Sequence, residues 1–142
     1  MPPQLSDSDI ARIGAGVIDR TLPKREWTHA AHFAAALWVL TRPHMDAFAE
    51  MPGVIRAYNQ ATGVPNTDTE GYHETITQAS LRAARAHLDA QPHAPLSERL
   101  ESLLSGPYGR SDWLLAYWSR GLLFSVGARR GWTPPDIQPL PF

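Results

Sequence analysis

The stretch Trp27-Thr28-His29-Ala30-Ala31-His32-Phe33-Ala34-Ala35-Ala36-Leu37-Trp38-Val39-Leu40 decides the fold. It carries no charged residue, and its apolar positions fall on every side of a helix. A helix of that kind is surrounded by protein, so the segment predicts the central helix of an all-α bundle, running from about Arg25 to Thr41. At fourteen uncharged residues it is too short to cross a bilayer. The sequence offers no sustained alternation of β-branched residues that would argue for a sheet.

Working outward, five further segments carry the helical period. Ser6 to Arg20 has Ile10, Ile13 and Val17 as its apolar stripe, with Ser6 or Asp7 as cap and Asp9 in the first turn. A segment from His44 or Met45 to Gln60 is expected to break near Pro52-Gly53. Thr69 to Ala90 follows a turn-rich loop from Ala61 to Thr69. Ser97 to Leu104 is short, and Ser111 to Arg129 is rich in Trp, Tyr and Leu. The tail from Gly131 to Phe142 holds Pro134, Pro135, Pro139 and Pro141, so it predicts extended chain lying on the surface through Trp132, Leu140 and Phe142. The chain of 142 residues reads as a single helical domain over 1–142, a bundle of five or six helices with a proline-rich tail.

Composition narrows function. Thirteen basic against fourteen acidic residues, with no cluster of either sign, leaves no surface suited to nucleic acid. The absence of cysteine removes thiolate nucleophiles, zinc–thiolate sites and disulfides. Met1 to Asp9 is polar and acidic, unlike a signal peptide, and the expected location is cytoplasmic. No Gly-rich phosphate loop and no Gly-x-Ser-x-Gly elbow is present.

The chemistry-bearing residues are histidines and glutamates. His29 and His32 are neighbours on one helical face, with Glu26 three residues earlier. On the fourth segment Glu70, His73, Glu74 and Thr77 share a face that Leu81, Ala84 and Leu88 continue. A carboxylate and an imidazole on core-facing stripes need partners. A metal held between the two helices would supply one. The expected site is therefore mononuclear, with three protein ligands (His29, His32 and His73, or two of these with Glu70), an open position and one divalent transition metal, zinc or iron first and manganese, nickel or copper also compatible. Glu74 or Glu70 would handle a proton, and Glu70 could equally close the helix start through a Thr67-x-x-Glu70 capping box.

Three functions follow from that site. The first is a hydrolase or lyase acting on a small molecule, and the second is a non-haem iron enzyme using oxygen. The third is a non-catalytic binding or dimerisation protein whose His/Glu cluster is a buried hydrogen-bond network. Under that third reading the aromatic last helix forms a homodimer or partner contact. Tyr58, Tyr72 and Tyr117 could place a hydroxyl in a pocket, and Arg56 and Arg129 could hold an anionic substrate. His44 and His93 are expected at the surface, and His87 lies about 21 Å beyond His73 along a helix, too far to join it.

Glu26-Trp-Thr-His-Ala-Ala-His32, Glu70-Gly-Tyr-His-Glu-Thr-Ile-Thr77, Trp132-Thr-Pro-Pro-Asp136 and Pro139-Leu-Pro141 together resemble a family of small bacterial proteins. The resemblance runs over most of the chain and implies that the two His-bearing segments belong together. It implies no reaction.

Overall fold

The computed structural model describes residues 4–142. Residues 1–3, the start of the polar segment noted above, lie outside the described residues. The described chain is all-helical: α1 (Asp7–Asp19), α2 (His29–Leu40), α3 (Ala47–Ala61), α4 (Glu74–Ala90), α5 (Leu96–Ser105), α6 (Arg120–Leu123) and α7 (Val126–Arg130), with short 3-10 turns at Lys24–Glu26, Pro107–Gly109 and Trp113–Ala116. None of the described helices is long and apolar enough to cross a membrane.

The uncharged segment does form the centre. α2 packs against α1, α3, α4 and α5, and Ala31, Phe33 to Leu37, Val39 and Leu40 are all buried. Its start is later than the periodicity suggests. Thr28 is extended, and its hydroxyl accepts the Ala31 amide, so the helix begins at His29. Glu26 belongs to the preceding 3-10 turn and pairs with Arg12 at 2.8 Å. It shares no helical face with His29 and His32.

α1 begins as its residues require. Ser6 and Asp9 form a reciprocal capping box, and Arg20 in the left-handed region closes the other end. α3 runs through Pro52 without the expected break. A proline frees the carbonyl four residues earlier, here Phe48, and Gln78 Nε2 on α4 donates to it at 3.1 Å. The orphaned acceptor thereby becomes a tie between α3 and α4.

The expected helix from Ser111 to Arg129 is broken into three pieces. Ser119 and Ser125 each accept an amide three residues on and restart the chain as α6 and α7. Ser119 is held in turn by Asp136, which accepts its amide at 2.7 Å and its hydroxyl at 2.6 Å. Trp118 is fully buried and donates Nε1–H to the Thr133 carbonyl. The tail thus holds the first break, at Ser119, while Ser125 makes the second with local partners alone.

That tail is extended, as its prolines require, and it is pinned at one buried point. Thr75 on α4 is wholly inaccessible; its hydroxyl donates to Gly131 O at 2.9 Å and accepts Thr133 N–H at 3.1 Å. Thr75→Val keeps the shape and removes both bonds. It should cost about 2 kcal/mol in urea denaturation, because two backbone groups lose their partner. A change under about 0.5 kcal/mol would mean that water replaces the hydroxyl.

Candidate functional site

The three expected histidine ligands lie near the start of α2 and α4, and each has its own backbone partner. His29 Nε2 lies 2.7 Å from Tyr108 O. A carbonyl only accepts, so Nε2 carries the proton. The ring also meets Phe33 edge-on and lines neither of the cavities described below.

His32 folds back along its own helix. Its Nδ1–H donates to Thr28 O at 2.6 Å, which fixes the tautomer and leaves the Nε2 lone pair free. Trp27 stacks on the ring at a centroid distance of 3.7 Å. His32 is an exposed residue, yet Trp27 covers one face of its ring and the surrounding protein displaces water from it. That desolvation pushes its pKa below the ordinary value, and the neighbouring His29 acts in the same direction. His32 is neutral at pH 7 and presents an acceptor.

His73 is buried and caps α4. Its Nε2–H donates to Leu123 O at 2.6 Å, and its Nδ1 accepts the Ile76 amide at 3.2 Å. Both ring nitrogens are therefore engaged inside the protein. Burial lowers its pKa, and the charge of Arg129 adds to the shift.

Glu70 is exposed in the loop before α4. The helix begins at Glu74, so the Thr67-x-x-Glu70 capping box does not form; the loop instead turns through Thr67 N–H to Glu70 O at 2.9 Å. Glu74 lies in the first turn of α4 and accepts a short hydrogen bond from the Tyr72 hydroxyl. Burial first, and that bond after it, push the phenol's pKa up and keep it protonated. The structure does not bring His29, His32, His73 and Glu70 to one point. Among the described residues no three His, Asp or Glu side chains are grouped so as to hold a metal ion.

What these elements do enclose is a cleft. A cavity of about 340 Å³ lies between the start of α2, the C-terminal half of α3 and the start of α4. Trp27 and His32 form one wall, Ile55, Asn59 and Val64 another, and Tyr72, His73, Ile76 and Thr77 a third. Its surface is mainly apolar, and His32, one of its lining residues, keeps Nε2 without a protein partner.

The loop from residue 62 to 73 shapes this cleft. Asn66 Oδ1 accepts from Asn59 Nδ2 and from Tyr72 N–H, both at 3.0 Å, while its amide donates to Arg56 O at 3.1 Å. Arg129 on α7 donates to Gly71 O and Tyr72 O at 3.1 and 3.2 Å. Arg130 forms a two-pronged pair with Asp68 at 2.7 Å. A second cavity of about 190 Å³ opens beside this loop, lined by Arg56, Asn66, Thr67, Asp68, Tyr72, Arg129 and Arg130.

Of the three tyrosines considered from sequence, Tyr72 lines both cavities. Tyr58 is buried with its hydroxyl donated to Leu22 O, and Tyr117 lines neither cavity. Trp27, Asn59 and Asn66 complete the site and were not singled out by spacing. The sequence signal for Trp27 was its place two residues before His29, and for Asn66 its place in the turn-rich loop; Asn59, in α3, had none.

No family model, curated protein or solved structure matches this chain.

Proposed function

We propose that the chain is a small-molecule-binding protein whose ligand occupies the Trp27–His32 cleft. The observation that carries this reading is the pairing of a largely apolar cavity with one imidazole held neutral, its free Nε2 on a ring that lines the cavity. Ligand sites typically combine an apolar lining with a few placed polar groups. Trp27 supplies a flat stacking surface, and His32 accepts one hydrogen bond from the ligand. Where the bound molecule reacts, His32 is the group positioned to take its proton.

The metal-dependent enzyme expected from the spacing would share this cleft through His32 and His73 alone, since His29 and Glu70 do not line it. It requires His29 and His73 to exchange the carbonyls of Tyr108 and Leu123 for a metal, and Glu70 to move in from the surface. The hydrogen-bonded reading needs no such rearrangement, and for that reason it is preferred.

Two measurements test it. Titration of the protein with uncharged arylacetamides should quench tryptophan fluorescence to saturation, and Ile76→Trp, which fills the cleft, should abolish the effect. His32→Phe should keep the fold and weaken binding about tenfold, the effect of one lost hydrogen bond. Elemental analysis by plasma mass spectrometry on tag-free protein runs beside it. Binding that survives Ile76→Trp, or one transition metal per chain that is lost in His29→Ala and in His73→Ala, would replace the proposal with the enzyme reading.

A further inference from the structure

The small-molecule reading leaves the second cavity without a role, and its charge is out of balance. Three guanidiniums line it against one carboxylate, Asp68. Arg130 takes that carboxylate through both of its oxygens. Arg56 and Arg129 have no ion-pair partner among the described residues.

Each of the two is nevertheless held in place. The Arg56 guanidinium lies over the Tyr72 ring, 4.3 Å from its centroid. Arg129 spends Nη1 on the carbonyls of Gly71 and Tyr72, while its Nε is buried with no partner at all. A buried N–H of a charged group left unpaired is costly. Fixing the loop explains Nη1; it leaves the buried Nε unpartnered and does not account for the exposed Arg56 cation that lines the same cavity. Guanidiniums in this state match a carboxylate or a phosphate, which accepts from two donors at once.

Resting on the reading of the first cavity, we infer that this second cavity binds the anionic group of the same ligand. The ligand class is then an organic anion: an aromatic or apolar body in the Trp27–His32 cleft, joined by a short arm to a carboxylate or phosphate ester at Arg56 and Arg129. Tyr72 is the wall that the two cavities share. Its phenol is tied to Glu74 and is kept protonated, so it adds no negative charge between them.

Matched pairs of arylacetates and arylacetamides (phenyl, indolyl and naphthyl) test this by isothermal titration, with inorganic phosphate as a third probe. The acetates should bind about tenfold or more tightly than the amides, and the preference should shrink as salt rises. Arg56 makes no side-chain hydrogen bond and meets the loop through the Tyr72 ring, so Arg56→Gln is compared with the wild type by urea midpoint first, and Arg56→Lys, which keeps a cation over that ring, is the control. Arg56→Gln should erase the preference with amide affinity unchanged, and Arg56→Lys should restore part of it. Equal binding of acetate and amide by the wild type, or a preference that survives Arg56→Gln, overturns the anion site while leaving the cleft standing. Phosphate that binds alone as tightly as the best acetate overturns the single-ligand claim. Failure of every acetate and every amide to bind removes the cleft reading, and the anion site falls with it.

Discussion

Replacing Gly71 by alanine should cost the fold about 3 kcal/mol and abolish binding in the Trp27–His32 cleft. Gly71 sits at φ +81°, where an L side chain is strained. Space makes the position worse. A Cβ there would lie 2.3 Å from Pro65 O and 2.7 Å from Asn66 Oδ1. The first of these is backbone and cannot swing aside. The second is the atom that holds both Asn59 and the Tyr72 amide. Relief of the clash therefore moves Tyr72, which lines both cavities. Gly63 provides the control. It has nearly the same φ, +83°, and open space where its Cβ would go. Gly63→Ala should cost only the conformational part, about 1 kcal/mol, and leave ligand titration unchanged. Urea denaturation of both variants, with arylacetamide titration alongside, checks the pair. Equal midpoints for the two variants would show that the loop relaxes around Gly71 and that its packing does not set the cleft.

The contrast between these glycines shows why the site was harder to read from sequence than the fold. Fold information is local and periodic. The uncharged run to Leu40 names a central helix, Ser6 with Asp9 names a helix start, and four prolines name an extended tail. Each reading needs only a few neighbouring residues. The start of α4 was misread because two local signals compete there. Thr67-x-x-Glu70 has the form of a capping box, yet His73 does the capping, and a cap residue lies on the same stripe as the turns that follow it. Periodicity cannot separate the two. The first break in the last helix is non-local: Ser119 restarts the chain because Asp136, seventeen residues on, binds it.

Spacing put His29 and His32 on one helical face and His73 on another; in the structure His29 and His32 lie in the first turn of α2 and His73 is the cap before α4. Spacing could not reveal what their nitrogens would meet. Those partners are the carbonyls of Tyr108 and Leu123, 79 and 50 residues away and both outside long helices. The cleft itself is shaped by Asn66 and Gly71, in a loop where no period operates. Arg56 and Arg129, suggested from sequence as anion holders with no spacing to support them, do line one cavity. Only the folded loop puts them side by side.

His73→Ala should be the most damaging change among the three histidines, costing about 2–4 kcal/mol. The substitution removes the acceptor for Ile76 N–H, worth about 1 kcal/mol as a helix cap. It also strands the Leu123 carbonyl, which meets the buried His73 ring, for about 1–3 kcal/mol more. His73→Asn separates these parts, because asparagine caps well but is too short to reach Leu123. It should recover about 1 kcal/mol. A dependence on pH gives a second, independent signature. Folding holds the His73 pKa below its unfolded value, through burial first and the Arg129 charge after it. Below about pH 6.5 the unfolded chain then binds a proton that the native state refuses. Stability therefore falls as pH drops from about 6.5 toward the native pKa, and it is flat above. The proton would also have to sit on Nδ1, facing the Ile76 N–H with a second donor. His32 is depressed in the same direction and adds to the wild-type slope, so the informative quantity is the difference between wild type and His73→Asn. Urea midpoints between pH 7 and pH 5 should show the wild type losing stability faster than the variant. Parallel lines would mean that His73 takes up its proton in the folded state as readily as in the unfolded one, and the neutral cap would have to be abandoned.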